Sequence, residues 1–218
     1  RLILNDNPLT GEFYDADKDI SGVTTLFDTL KTSPVTELGL AECRLGPGSL
    51  GKLAEYVREA TAALNSLKCA NNPCMVGKLD EYGDLETPDA HAEVFKQLTD
   101  NLKTSQVTEV DFSSCGIGPV ALGHLGEWVR EARAALASVN LSGNPLTGAS
   151  RNFDKPGAPW ENIDSNMAGF IALCAVLGKL NEVNLSDCHL GPTSTAELAK
   201  VFSDARAALK KVTLSQNR

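Results

Sequence analysis

Seven short stretches of the chain alternate apolar and polar residues with a period of two, and each stretch ends at an asparagine or a cysteine. Such alternation predicts β-strands with one buried face. In two of these strands, Leu38 with Leu40 and Val110 with Phe112 are expected to point into the core. After each cysteine the apolar residues recur at intervals of three and four, which predicts an amphipathic helix. The pattern therefore predicts an α/β chain in which strands and helices succeed one another.

Proline and small polar residues mark where the helices are expected to begin. A Gly-Pro pair follows each of the three cysteines, and proline at the first helical position loses no donor that the helix needs. The stretches that end at asparagine are followed by helix candidates near residues 23–31, 88–103 and 165–178. Thr87 and Ser165 are the predicted N-caps of the last two.

The stretches are copies of one template, L-x-x-L-x-L-x-x-N/C, and copies that end at cysteine (Cys-type units) alternate with copies that end at asparagine (Asn-type units). The units from residue 35 onward begin at steps of 29, 43, 29, 44 and 29 residues, and the cysteines Cys43, Cys115 and Cys188 are 72 and 73 residues apart. The two longer steps reflect insertions, which span approximately residues 74–87 and 146–164. A further insertion precedes residue 35, at approximately residues 9–21. The recurring step of 29 residues predicts a repeat architecture.

The template and the alternation of the two unit types resemble the ribonuclease-inhibitor-like subclass of leucine-rich repeat proteins, over essentially the whole chain. The resemblance implies a curved solenoid, or horseshoe, with parallel strands on the concave face, helices on the convex face and long insertions in the Asn-type units. One strand and one helix cannot bury their own apolar faces, so stability should come from stacked neighbours. We expect residues 1–218 to form a single domain, an excerpt of a longer repeat array without its caps.

Composition narrows the class of partner and the compartment. Hydrophobic residues make up 42% and charged residues 22% of the chain, as in globular proteins, and no apolar stretch approaches the ~18 residues of a membrane span. A net charge of −8 argues against nucleic acid as a partner, because its phosphates require a basic surface.

Three of the six cysteines occupy the template turn and two more occupy core positions. Unpaired buried thiols favour the reducing cytoplasm, with a secreted or surface-exposed location as the open alternative.

No catalytic or cofactor-binding constellation stands out. The three histidines lie in different units without the partners of a catalytic triad, and no glycine-rich phosphate loop occurs. The cysteine spacing separates the thiols too widely for one metal ion. The segment Asp15-Ala-Asp17-Lys-Asp19 resembles the start of a calcium loop, but Ile20 and Leu26 replace the required glycine and glutamate. We expect a solvated acidic loop there, and a chain without enzyme activity, cofactor or metal.

The outward template positions carry a spaced acidic row, Glu37, Glu109 and Glu182, that could attract a basic protein partner. The competing interpretation is that Glu37 pairs with Arg1 and Glu182 with Lys211, each pair worth only ~0.2–1 kcal/mol. The candidate partner-binding residues on this concave face are Glu37, Glu42, Lys68, Glu109, Asp111, Glu182, Asn184, Asp187 and Lys211.

Each insertion places an aromatic residue near an acidic one, so Tyr14, Tyr82, Phe153 and Trp160 are candidate partner-binding residues as well. Long loops in a compact fold are usually functional or disordered. The alternative is that these rings only hold their loops against the fold.

The sequence thus predicts a non-catalytic scaffold that binds another protein through its concave strand face and its insertions. The resemblance also leaves open a regulatory repeat domain of a GTPase-activating, actin-regulating (CARMIL-like) or NOD-like receptor protein. A third hypothesis is end-to-end self-association of the chain through its uncapped ends.

Overall fold

The computed structural model describes residues 1–11, 15–60, 64–151, 159–203 and 209–217. Over these residues the chain is a mixed α/β fold in which strands and helices largely alternate, with two short 3-10 helices at Pro73–Met75 and Leu177–Lys179. The strands are β1 (Leu2–Ile3), β2 (Glu37–Gly39), β3 (Ser66–Lys68), β4 (Lys78–Leu79), β5 (Leu85–Thr87), β6 (Glu109–Asp111), β7 (Ser138–Asn140), β8 (Ser150–Arg151), β9 (Trp160–Glu161), β10 (Glu182–Asn184) and β11 (Lys211–Thr213). The helices are α1 (Ser21–Leu30), α2 (Pro47–Glu59), α3 (Ala92–Leu102), α4 (Pro119–Glu131), α5 (Ala168–Cys174) and α6 (Pro192–Phe202).

Seven of the described strands form one parallel sheet in the order β1-β2-β3-β6-β7-β10-β11. Equivalent template positions pair with one another, so each strand has the same register as its neighbours. One row of the sheet is therefore entirely apolar: Leu2, Leu38, Leu67, Val110, Val139, Val183 and Val212. The remaining strands form two antiparallel hairpins, β4–β5 and β8–β9, within the second and third insertions.

The core lies between this sheet and a layer of helices. Apolar residues of the strands are buried in the same cluster as helix residues such as Leu50, Leu53 and Leu125. Each helix contacts the next one in the chain, from α1 to α6. The helices thus cover one face of the sheet, while Glu109 and Glu182 on its other face are exposed. No helix in the described ranges is long and apolar enough to cross a membrane.

The template asparagine joins neighbouring strands at their carboxyl ends. The buried Asn144 accepts hydrogen bonds from the backbone N–H groups of Cys115 (3.1 Å) and Ile117 (2.9 Å) through Oδ1. Its Nδ2 donates to the carbonyls of Phe112 and Leu141, both at 2.9 Å. Asn72 and Asn217 make the equivalent bonds one pair of units before and after. Each asparagine therefore provides hydrogen-bond partners for the backbone groups at the turn of its own unit and at the turn of the preceding Cys-type unit.

The template cysteine provides the complementary link. The thiol of Cys115 donates to the carbonyl of Cys69 in the preceding unit (3.1 Å), and the thiol of Cys188 donates to that of Leu141 (3.3 Å). The predicted role of this position, support of the turn backbone by a free thiol, is confirmed.

Strands end abruptly because the eighth template position adopts left-handed backbone angles. The residues at this position all have φ between 50° and 70°: Asp6, Glu42, Asn71, Ser114, Gly143, Asp187 and Gln216. Non-glycine residues are uncommon in this region, with Asn and Asp tolerated best. The turn directs the following buried backbone groups toward the asparagine and cysteine side chains.

The prediction of a solvated acidic loop is wrong for Asp17. Its carboxylate accepts hydrogen bonds from the backbone N–H groups of Gly46 (3.0 Å), Gly48 (2.6 Å) and Ser49 (3.1 Å), at the start of α2. Asp89 and Asp164 cap α4 and α6 in the same way. Each aspartate belongs to an insertion or its flank and caps the helix of the next unit. A negative charge is favourable at these N–H groups because the helix dipole is positive there.

The environments of two capping aspartates differ. Burial raises the pKa of Asp89, and the amide donors of Val120, Gly118 and Ala121 offset this only in part. Asp164 is less buried. Burial raises its pKa too, but hydrogen bonds from Ser194, Gly191 and Thr193 outweigh that effect and lower it.

The predicted N-caps Thr87 and Ser165 are wrong. Thr87 pairs with Lys78 in the β4–β5 hairpin, and α3 begins later, at Ala92. Ser165 Oγ donates to the carbonyl of Gly148 (3.3 Å) instead of accepting from a helical amide. Thr87 is thus held by its strand and Ser165 by its hydroxyl, both through contacts with the insertions that local sequence rules do not anticipate.

Replacement of Asn144 by alanine should lower the free energy of unfolding by at least about 3 kcal/mol, because several buried backbone groups lose their partners. Urea denaturation measures this loss. Asn217→Ala is the matched control, since Asn217 makes equivalent bonds but is only partly buried. Water can replace those bonds, so we expect a loss of about 1 kcal/mol. Equal losses would contradict the role assigned to burial.

Gly118→Ala should destabilise the protein by about 1–3 kcal/mol, because the added methyl group overpacks against the capping carboxylate. A Cβ at Gly118 would lie 2.6 Å from Asp89 Oδ2, whereas a Cβ at Gly22 in α1 would meet nothing within 4 Å. Gly22→Ala should therefore stabilise by about 0.5–1 kcal/mol through helix propensity. Thermal unfolding of both variants tests this. If the cost of Gly118→Ala persists in full in an Asp89→Ala background, its cause is not the clash with the cap.

Candidate protein-binding face

The outward-facing residues of the parallel strands form two rows, which together we call the open face. The first row contains the predicted glutamates separated by serines: Glu37, Ser66, Glu109, Ser138, Glu182 and Lys211. The second row is Gly39, Lys68, Asp111, Asn140, Asn184 and Thr213. The structure thus brings seven of the nine predicted concave-face residues into two adjacent rows. Glu42 and Asp187 lie beyond the strand ends, where both are exposed.

Two of the three glutamates of the first row are paired. Glu37 forms ion pairs with Arg1 (3.0 Å) and Lys68 (2.9 Å), and Glu182 forms one with Lys211 (3.5 Å). The hydrogen bond from Lys68 lowers the pKa of Glu37. The expected pairing of glutamates across strands is therefore confirmed, and Lys68 adds a diagonal contact that was not predicted.

The centre of the open face differs from its ends. Glu109 is exposed and makes no ion pair with any residue that the structure describes. Asp111 is half-buried, and its Oδ1 accepts hydrogen bonds from the backbone N–H (3.0 Å) and the hydroxyl (2.6 Å) of Ser113. Asn184 holds Ser186 in the same way. Lys68 lies opposite Asp111 in the strand register but pairs with Glu37, so Glu109 and Asp111 are acids of the open face that make no ion pair among the described residues.

The side chains at the strand ends have local roles. Glu42 Oε1 accepts a hydrogen bond from Asn71 Nδ2 (3.2 Å). Asp187 lines a depression of about 360 Å³ together with Trp160, His189 and Gln216. The third insertion therefore extends the open face at one edge.

The aromatic candidates of the insertions have different environments. Tyr82, in the turn of the β4–β5 hairpin, is 74% exposed, so it does not hold its loop against the fold. Trp160 stacks on the buried ring of His189, with 3.6 Å between ring centroids, and so fixes the β8–β9 hairpin to the turn after β10. Tyr14 and Phe153 lie outside the described residues.

The sequence did not reveal the capping aspartates or the role of Ser66. A signal for the former exists, because Asp17 and Asp89 each stand 29 residues before the glycine of a Gly-Pro pair and Asp164 stands 27 before it. Ser66 is 7% exposed, and its Oγ is buried without a hydrogen-bond partner among the residues that the structure describes. Nothing in the template distinguishes it from Ser138.

No three histidine, cysteine, aspartate or glutamate side chains come together to hold a metal ion within the described part of the chain. Neither a scan against models of protein families nor a search of curated proteins finds a match to this chain. The function of the chain is therefore inferred from the geometry of its open face.

Lys68→Met should raise the pKa of Glu37 toward the ordinary glutamate value, because the lysine hydrogen bond favours the charged carboxylate. A carbon-detected NMR titration of the Glu37 carboxyl group measures this change. The pairing stabilises the protein above the unfolded-state pKa of glutamate, and this contribution is lost as pH falls through the lowered folded-state pKa.

Lys211→Met is the control for this titration. It removes a cation of the same row that contacts Glu182, so the pKa of Glu37 should stay unchanged. An unchanged pKa of Glu37 in the Lys68→Met variant would contradict the assigned cause.

Proposed function

We propose that this chain is a leucine-rich repeat solenoid that acts as a non-catalytic scaffold and binds a protein partner through its open face and insertion edge. The parallel strands in common register, the helices on one side and the alternating asparagine and cysteine links support the solenoid. In such a solenoid the open face is the concave face. Its residues come from different units, so a partner lying along it would contact several units at once.

The observation that carries the proposal is the contrast between the two faces of the sheet. Helices bury one face completely at positions such as Leu38 and Val139, whereas the other presents charged and amide side chains to solvent. Few of these side chains are large and apolar, so binding there is expected to depend on charge and hydrogen bonding, with Tyr82 and Trp160 as aromatic contacts at the edge.

The cysteines support a reducing compartment for the proposed scaffold. All six are free, and five of them are buried. Burial raises the pKa of Cys174 and of Cys188 to about 12, which keeps these thiols protonated and unreactive. We therefore propose a cytoplasmic location.

End-to-end self-association is a weaker proposal. Addition of β1 from a second copy to the edge strand β11, in the register of the sheet, would place Arg1 beside Lys211. It would also place Asn7 beside Asn217, where the alternation requires a cysteine. Like charges directly opposite one another destabilise strand pairs.

The scaffold proposal predicts that removal of the open-face acids weakens partner binding. Glu37, Glu109, Asp111 and Glu182 are replaced together by alanine, and binding to a partner isolated with the wild-type protein is measured by calorimetry. We expect at least about a tenfold loss of affinity, or roughly 1.4 kcal/mol. The control removes four glutamates of the helical face, Glu55, Glu93, Glu127 and Glu131.

The control variant has the same net charge, so a nonspecific charge effect would weaken both variants equally. Equal weakening, or unchanged affinity in the open-face variant, would reject the concave-face proposal. The same partner, if it is a small GTPase, is assayed for stimulated hydrolysis, which separates a regulatory repeat domain from a passive scaffold.

A further inference from the structure

We propose that the centre of the open face, formed by Glu109, Asp111 and Ser66, is a subsite for an arginine side chain presented by the protein partner. The inference rests on the proposed function and names the chemistry of one contact within it. Three observations carry it: the distribution of uncompensated charge, a buried hydroxyl without a partner, and the spacing of two carboxylates.

The charge of the open face is compensated at both ends but not in the middle. Glu37 has two cationic neighbours within 3.0 Å, and Glu182 has Lys211 at 3.5 Å. Glu109, midway between them in the same row, makes no ion pair among the described residues, because Lys68 on the adjacent strand extends to Glu37 instead. A cation that approaches this face would therefore find its strongest unpaired attraction at β6, several strands away from either edge of the sheet.

Ser66 provides an independent sign of an unfilled contact. It lies directly between Glu37 and Glu109 in the strand register and on the same face as both. The residue is only 7% exposed, and its Oγ makes no hydrogen bond with any described part of the chain. Buried hydroxyl groups normally have partners, because leaving one unsatisfied costs free energy. This hydroxyl is closed to solvent in the structure, so a donor seated against Glu109 reaches it only when the side chains that cover it move aside.

The spacing of the carboxylates favours arginine over lysine. Glu109 and Asp111 are two residues apart on one strand, so their side chains leave the same face at positions about 7 Å apart. Asp111 uses Oδ1 for Ser113, which leaves Oδ2 for a ligand. A planar guanidinium group has five donors and can bridge two carboxylates, whereas an ammonium group acts as a point charge. Arginine is also among the residues enriched at binding hot spots.

The test uses the pentapeptide acetyl-Gly-Ser-Arg-Ser-Gly-amide as probe, with lysine and citrulline versions for comparison. Citrulline has the shape of arginine without its charge. Binding to the wild-type protein is followed by amide chemical shifts in two-dimensional NMR spectra at low salt. We expect the arginine peptide to shift the amides of Ser66 and Asp111, and to bind at least about fivefold more tightly than either other peptide.

Conservative variants locate the site. Glu109→Gln and Asp111→Asn should each weaken the arginine peptide at least about fivefold. Ser66→Ala should weaken it by a smaller factor of about two to three, because only one neutral hydrogen bond is lost. Glu131→Gln, which changes an exposed glutamate of the helical face that is paired with Lys103, is the matched control and should change the affinity less than about twofold. Glu109 is exposed and unpaired, so its variant is expected to fold normally.

Several outcomes would overturn the proposal. Equal binding of arginine and citrulline peptides would exclude a charged subsite, and equal binding of arginine and lysine peptides would reject the guanidinium assignment. Shifts confined to the depression beside Trp160 and Asp187, or an unaffected Glu109→Gln variant, would place the contact elsewhere.

The probe does not depend on the natural partner. If the peptide fails while the open-face alanine variant still loses its partner, the arginine subsite is wrong and the scaffold proposal stands. If the peptide binds at Glu109 while the open-face variant retains its partner, the proposed function is wrong instead.

Discussion

The structure depends on how buried backbone groups are satisfied where each strand ends. The chain turns sharply at a left-handed residue after every strand, and the next N–H and C=O groups then enter the core without strand partners. Buried groups of this kind must be paired. The asparagine of each Asn-type unit supplies both a donor and an acceptor, and it bonds its own turn and that of the preceding Cys-type unit. The cysteine donates in turn to the unit before it. Because each link spans two units, equivalent strands must lie parallel and in the same register, which produces the uniform apolar row from Leu2 to Val212.

The same requirement explains how insertions of different length fit between regular units. The helices of the Cys-type units begin at a glycine-proline pair without a side-chain cap of their own, so acceptors must come from elsewhere. Asp17, Asp89 and Asp164 supply them from the preceding Asn-type unit. A glycine is required at the N-cap because the carboxylate occupies the space of a side chain. The capping aspartate fixes the end of each insertion. Farther along the second and third insertions the environments differ, because Tyr82 projects into solvent whereas Trp160 packs on His189.

Register also determines where the open face can attract a ligand. Repetition of the template places Glu37, Glu109 and Glu182 in one row, which seen alone suggests a uniform acidic surface. The residues between and beside these glutamates are not repeated, and they decide which glutamate is paired with a cation. Lys68 extends diagonally to Glu37, and Lys211 lies opposite Glu182, while Ser66 and Ser138 flank Glu109. The proposed arginine subsite follows from this unequal compensation, which arises between strands that are distant in sequence.

The succession of strands and helices, the pairing of equivalent strands and the roles of the template asparagines and cysteines could all be predicted from the amino-acid sequence. These features follow from local periodicity and from one template copied seven times, so a pattern along the chain is sufficient to predict them. The folded chain was needed to show that Asp17 is a cap rather than a solvated acid, that Thr87 and Ser165 are not caps, and that Glu109 makes no ion pair among the described residues. Asp17 accepts hydrogen bonds from backbone amides 29 to 32 residues away, whereas Thr87 pairs with Lys78 and Ser165 bonds the carbonyl of Gly148, 17 residues away. Local propensity carries no information about such contacts, because they form only when an insertion folds and when neighbouring units stack.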